Sequence, residues 1–163
     1  MNGASTPGGA LLATLAGRFP AAEFTTSLGD PVARVGREDL AVFVAAAREV
    51  GFTTFIDLCA VDYLSRPEGR FEVVVHLLSM EPPLRLRVLA AVPGEDPRAP
   101  TLTGAYAGAN FYEREAYDLF GIRFDGHPDL TRLLLPDEWE GHPLRKDHPM
   151  GSVPVQFKAV EQQ

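Results

Sequence analysis

The chain has 163 residues, 45% hydrophobic and 23% charged, a composition that excludes a disordered tail and predicts one soluble globular domain. At this length folding buries roughly 70% of the unfolded chain's surface, so no staple is needed to hold a core; the single cysteine, Cys59, excludes an intramolecular disulfide and an iron–sulfur cluster held by this chain alone. A formal charge of −7 opposes binding to a phosphate backbone, and no stretch reaches the roughly 20 apolar residues of a membrane span.

Residues 1–9, small and polar, read as a frayed terminus without the basic start of a secretory leader, so a cytoplasmic location is expected. Leu11, Leu12, Leu15 and Phe19 then recur at helical spacing up to Pro20, and residues 22–28 and 32–35 read as strands flanking a Gly29-Asp30-Pro31 turn. After Gly36, Glu38 and Asp39 sit where a helix N-terminus attracts negative charge, and Leu40, Phe43, Val44 and Ala47 line one face until Gly51. Three β-rich runs follow, at 53–63, 71–80 and 84–92. In the middle run Phe71, Val73, Val75 and Leu77 share one face, and Glu72, Val74, His76 and Leu78 the other. In the last run Arg85 and Arg87 alternate with Leu84, Leu86 and Val88, which predicts a wet face at that strand.

Residues 93–100 read as a loop, and 105–120 as a helix stopped by Gly121. Beyond Phe124 the prolines and glycines leave room for neither a long helix nor a central strand. The order helix, two strands, helix, three strands predicts an α+β fold, a two-layer sandwich with helices on one face of a mixed sheet, followed by a helix and an extended irregular arm. Residues 1–124 are expected to form the N-terminal α+β domain including that last helix, and 125–163 an extended Pro- and Gly-rich docking arm.

Glu113, Arg114, Glu115 and Asp118 place three carboxylates and a guanidinium within six residues of that last helix. Arg114 and Asp118, four apart, can pair along the helix, whereas Glu115 and Asp118, three apart, repel unless a cation lies between them. The pattern fits a solvated face, a surface for a partner's basic groups, or a metal or acid–base site, and composition leaves all three open. His127, His142 and His148, amid Asp129, Asp137, Glu138 and Asp147, could supply ligands for zinc or iron, and a stand-alone hydrolase would draw on Glu113, Glu115 and His127. Spacing argues against that, because His127 and His142 each precede a proline and lie fifteen residues apart instead of one helical turn. Arg145 and Lys146 make the densest basic spot of the arm, one a planar fork for a carboxylate and the other a point charge. No G-x-S-x-G, P-loop or G-x-G-x-x-G motif occurs, and Cys59, in an apolar β run, reads as a buried structural thiol.

Three ordered blocks stand out in the last third: E-R-E-x-x-D-L-F-G from Glu113 to Gly121, G-H-P-D-L from Gly126 to Leu130, and G-H-P-L-R-K-D from Gly141 to Asp147. On these residues the chain resembles the C-subunit family of the proton-pumping NADH:quinone oxidoreductase, bacterial respiratory complex I. Thr131 departs from the basic residue usual in that family, and His148 from the usual tyrosine.

The resemblance implies a peripheral-arm component with no catalytic, cofactor-binding or metal residues of its own, supporting electron transfer from NADH to quinone coupled to proton translocation. FMN, iron–sulfur clusters and quinone would lie in partner subunits. The chain would dock chiefly on the D subunit of the complex near the quinone-reducing end, on the cytoplasmic face of the inner membrane. The docking residues it implies are Glu113, Arg114, Glu115, Asp118, Phe120, Gly121, His127, Pro128, Trp139, Gly141, His142, Pro143, Arg145, Lys146 and Asp147. Residue chemistry agrees, because Phe120, Phe124, Leu133, Leu134, Leu135 and Trp139 are more apolar surface than an irregular arm covers by itself, and aromatic and Arg anchors are common at interfaces. The equivalent component of a membrane-bound hydrogenase or other-donor quinone reductase would share that surface, so the electron donor stays open. On either the solvated or the docking reading of the charged helix, truncating Glu115 or Asp118 is expected to leave the domain's own stability nearly unchanged.

Overall fold

Residues 7–66 and 69–149 are described in the computed structural model of this chain. Helix α1 (Pro7–Arg18) takes in the last three residues of the segment expected to fray, with Pro7 in the first turn, where a missing N–H leaves no bond unmade. It leads into β1 (Glu23–Ser27) and β2 (Asp30–Val35), then α2 (Leu40–Val50), and then the strands β3 (Thr54–Asp62), β4 (Phe71–Met80) and β5 (Pro83–Val92). A short strand β6 (Arg98–Pro100), helix α3 (Ala109–Phe120) and a short strand β7 (Arg123–Asp125) follow, and residues 126–149 form no further regular element.

The hairpin turn is Leu28-Gly29, not Gly29-Asp30-Pro31. Both turn residues have positive φ, 53° and 91°, the backbone of a two-residue primed turn whose twist matches that of the flanking strands. Asp30 and Pro31 are therefore already in β2, opposite Ser27 and Thr26. Strand β5 joins the other edge of β2 only from Val32 onward, so the proline's missing donor interrupts no ladder bond on that side.

Five strands form one mixed sheet in the order β1-β2-β5-β4-β3, parallel between β2 and β5 and antiparallel elsewhere. Register stacks the apolar positions of neighbouring strands, with Val75 opposite Leu58 and Val88, and Val73 opposite Ala60 and Ala90. These residues face Phe43, Val44 and Ala47 of α2 in one continuous core. A bulge between Phe55 and Asp57 adds one residue to β3, which lets Phe55 and Leu58 both turn inward although they are three apart. Phe55 then meets the rings of Tyr106 and Tyr112, and the Tyr106 hydroxyl donates to the Phe52 carbonyl. Helix α3 lies along β3 at this side of the sheet.

Among the described residues no helix covers the other sheet face, as the alternation at Arg85 and Arg87 predicts. Glu72, nearly fully buried there, accepts from Arg34 at 2.6 Å, Arg66 at 2.9 Å and the Tyr63 hydroxyl at 3.2 Å. His76 accepts from Arg87 Nε at 2.9 Å through Nε2 and donates Nδ1–H to Asp57 at 2.6 Å. Cys59 lies exposed on this face instead of buried, because it alternates with the inward Leu58 and Ala60. Desolvation by the neighbouring side chains, with the negative charge of Asp57 and Glu115, pushes its thiol pKa up.

Two further expectations change. The 93–100 loop contains β6, which pairs in parallel with β7; Ala99 and Phe124 are buried opposite one another, and the Arg98–Asp125 ion pair at 2.8 Å flanks them. Helix α3 starts at Ala109 and not at 105, because residues 101–108 run through turns that place Gly104 and Gly108.

A candidate docking surface built on helix α3

Helix α3 turns Ala109, Glu113 and Ala116 into the domain, and Asp118 is equally buried. Two of the carboxylates expected on a charged outer face therefore have no exposed surface at all. Glu113 accepts the Leu102 N–H and the Thr101 hydroxyl, each at 2.6 Å, which ties α3 to the loop after β6. Burial pushes its carboxyl up to about 7, against those two hydrogen bonds.

His127, from the G-H-P-D-L block, lies 4.0 Å from the same carboxylate with its imidazole buried. Its Nδ1 accepts the Asp129 N–H at 3.0 Å, so Nε2 carries the proton and donates to the Asn110 carbonyl at 3.2 Å. The block is thus a self-bonded turn fixed to the first turn of α3, while Pro128 is exposed.

Asp118 pairs with Arg132 at 2.6 Å and not with Arg114. Its other oxygen accepts three successive backbone N–H groups, those of Leu133, Leu134 and Leu135, at 3.1, 2.7 and 2.9 Å. Burial opposes its charge, but the hydrogen bonds from Leu135 and Leu134, from Arg132 and from Leu133 outweigh it and hold the carboxyl below the usual range. Arg114 is turned to the same segment, donating to the Thr131 and Arg132 carbonyls. Of the four charges expected on this helix, only Glu115 is exposed.

Gly121 ends α3 in the left-handed conformation, φ 77°, with its N–H on the Tyr117 carbonyl. A Cβ there would stand 2.7 Å from the His142 ring, so the glycine of D-L-F-G is required both by backbone and by space. His142 packs into that gap, its Nδ1–H donating to the Asp118 carbonyl at 2.9 Å, and the Leu144 N–H donates to Leu119 O at 3.1 Å. The arm therefore satisfies carbonyls that the end of α3 leaves open.

The G-H-P-L-R-K-D block continues to the β3–β4 end of the sheet. Asp62 accepts Arg70 at 2.8 Å and the Lys146 N–H at 2.8 Å. Arg70 also reaches Asp147 at 2.7 Å, and Asp147 accepts Arg145 at 3.1 Å. Arg70 and Arg145 both lie over the Phe71 ring. Arg70 and then Arg145 hold the Asp147 carboxyl far below the usual range. Arg145 and Asp147 are thus engaged within the chain, and of the basic pair only the Lys146 ammonium faces outward.

Residues 126–149 consequently form a strap laid back on the domain. Phe124 joins the core and Phe120 packs against it, while Leu133, Leu134 and Leu144 stay exposed at 36%, 59% and 52%. Pro143 and Trp139 are half-buried, Gly141 is exposed, and the Trp139 indole N–H is buried with no acceptor among the described residues. Arg132, Thr101, Asp62 and Arg70 organise this region without a signal in the sequence, because each is defined by a partner distant along the chain. Residues 150–163, the rest of the expected arm, lie outside the described residues. Among the described residues no group of three or more His, Cys, Asp and Glu side chains could hold a metal ion, and no helix is long and apolar enough to cross a membrane.

Residues 33–153 match the family described as the 30-kDa subunit of the respiratory-chain NADH dehydrogenase. The NADH-quinone oxidoreductase C subunit of Herpetosiphon aurantiacus is 46% identical over 143 residues, 86% of this chain and 83% of that protein. The protein of the same name from Salinispora arenicola is 48% identical over 130 residues, 80% of this chain, but the match spans only 50% of that relative's length. Among solved structures, a trypsin-resistant fragment of Nqo5 superposes with a TM-score of 0.66 at 38% identity, over 74% of this chain and 97% of the fragment. A chain of an archaeal membrane-bound sulfane sulfur reductase, a respiratory membrane complex, gives a TM-score of 0.79 at 25% identity, over 97% of this chain and 99% of its own length.

Proposed function

Since the chain belongs to the 30-kDa subunit family of the respiratory-chain NADH dehydrogenase, we propose that it serves as the C subunit of an NADH:quinone oxidoreductase, an assembly component whose α3-and-strap surface docks on the D subunit near the quinone-reducing end. It contributes no redox group. Flavin, iron–sulfur clusters and quinone belong to other subunits, and the chain reaches the cytoplasmic face of the membrane only through them.

The observation that carries this reading is the strap itself. Buried carboxylates and their Arg partners fix an irregular segment of more than twenty residues on one side of the domain, and that segment still leaves Leu133, Leu134 and Leu144 uncovered. Rigid backbone with exposed apolar side chains suits a partner surface more than a free one. Glu115, Pro128, Trp139 and Lys146 are the docking residues kept in this reading, while Glu113 and Asp118, buried, and Arg145 and Asp147, paired within the chain, shape the surface.

The test is to affinity-purify the tagged chain from membranes. The expected result is retention of the whole oxidoreductase with NADH-driven quinone reduction; deletion of the gene should abolish both. The similarity to the sulfane sulfur reductase chain favours a second reading, the equivalent component of a hydrogenase or other-donor complex. A purified complex that ignores NADH but accepts electrons from another donor would select it.

A further inference from the structure

The last turn of α3 holds two separate pieces of the strap. The Asp118 carboxylate binds the N–H groups of Leu133 to Leu135, and the Leu119 carbonyl binds the Leu144 N–H. With the backbone of 133–135 turned toward one buried oxygen, the Leu133 and Leu134 side chains are directed outward and have little freedom to turn away. The two segments that carry Leu133, Leu134 and Leu144 are thereby anchored on a single helical turn.

Arg132 ties an acidic stretch to the first of these segments. One arm of its guanidinium holds Asp118, and the other donates to the Trp139 carbonyl at 2.8 Å and the Gly141 carbonyl at 3.4 Å. That holds the Trp139 and Gly141 carbonyls at Arg132, and so ties the stretch carrying Asp137, Glu138 and Glu140 to the residue next to Leu133. All three carboxylates are exposed, and none takes part in an ion pair among the described residues.

From this geometry we infer that Leu133, Leu134 and Leu144 form a prefixed apolar knuckle that seats in a groove of a neighbouring protein subunit, and that the rim of this groove carries Lys or Arg facing Glu138 and Glu140. The inference rests on the functional reading above and adds to it which residues anchor the contact and what the partner must present. An acidic rim fits a basic protein surface and is repelled by the negative headgroups of a cytoplasmic leaflet. Because the leucines are already held in place, little ordering cost opposes docking.

The test uses the assembled complex. Leu134→Ser combined with Leu144→Ser should lower the amount of this chain retained in the purified oxidoreductase by about tenfold, while the free chain's melting temperature stays at the wild-type value. Val42→Ser, at another exposed apolar position on α2, should have no effect on retention. Glu138→Lys with Glu140→Lys should reduce retention by about tenfold as well. A photo-crosslinker placed at position 134 should join an apolar segment flanked by Lys or Arg in one other subunit. Wild-type retention of the leucine double variant, or crosslinks to lipid, would overturn the knuckle and leave the functional reading intact. Failure of the wild-type chain to co-purify with any oxidoreductase would instead overturn the functional reading, and the knuckle with it.

Discussion

The carboxylate of Asp118 and the guanidinium of Arg132 meet at 2.6 Å, the first with no exposed surface and the second mostly covered. This pair, fourteen residues apart in sequence, joins the end of α3 to the strap, and it changes what the helix charges are for. A solvated or docking residue at position 118 would be dispensable for the stability of the domain. Asp118 is instead the acceptor on which a turn of otherwise irregular chain is built.

Asp118→Ala should therefore destabilise the isolated chain by about 3–5 kcal/mol, because it strands a covered guanidinium and three N–H groups together. Glu115→Ala, at an exposed position on the same helix, should change stability by at most about 0.5 kcal/mol. Urea unfolding of both variants checks the contrast, and equal effects would contradict the buried arrangement.

Gly121→Ala meets two obstacles, a left-handed backbone and the His142 ring. A loss of about 2–4 kcal/mol is expected from the two combined. Removing the ring with His142→Ala should recover the steric part only, so the double variant should be more stable than the sum of the single losses by about 1 kcal/mol or more. Simple additivity in that cycle would show that ring and glycine do not touch.

Glu113 gives stability a distinct pH dependence. Its folded carboxyl titrates near 7 while the unfolded one titrates near 4.5. Below the lower value the group is protonated in both states and costs nothing. As pH rises toward 7 the unfolded chain releases the proton while the folded chain retains it, and stability falls by about 3 kcal/mol before levelling above that pH. Glu113→Gln should remove this slope, matching wild type near pH 4 and exceeding it at pH 8. Asp62, Glu72, Asp118 and Asp147 have lowered folded values, so their contribution is lost only as pH falls below the ordinary carboxylate range.

The strap's grip on the sheet is testable by amide hydrogen exchange. The Lys146 N–H bonds to Asp62, whose charge is held by Arg70, so this amide should exchange slowly although it lies in irregular chain. Arg70→Met should speed its exchange by about tenfold or more, as a local opening, while the Leu134 amide on Asp118 keeps its protection. Parallel loss of protection at both amides would mean that the strap opens as one unit.

Features that depend on neighbours close along the chain are legible in the sequence alone. Leu40, Phe43, Val44 and Ala47 mark the buried stripe of α2, Gly51 its end, and the alternation of Phe71, Val73, Val75 and Leu77 the inner face of β4, since helical and strand periods report directly which side is covered. The three ordered blocks likewise suffice for the family. The partners of the charges, in contrast, are set by tertiary packing. Arg114 stands one turn from Asp118, yet Arg132 takes that carboxylate. Arg70 and Lys146 converge on Asp62, and the Lys146 N–H comes from 84 residues away. The bulge at β3, the Leu28-Gly29 turn and the three-residue β6–β7 pair are equally hidden, because each is set by strand register or is too short to display a period. A buried carboxylate binds whichever donors the packed fold brings within reach, and spacing along one helix names only the candidates that water would otherwise separate.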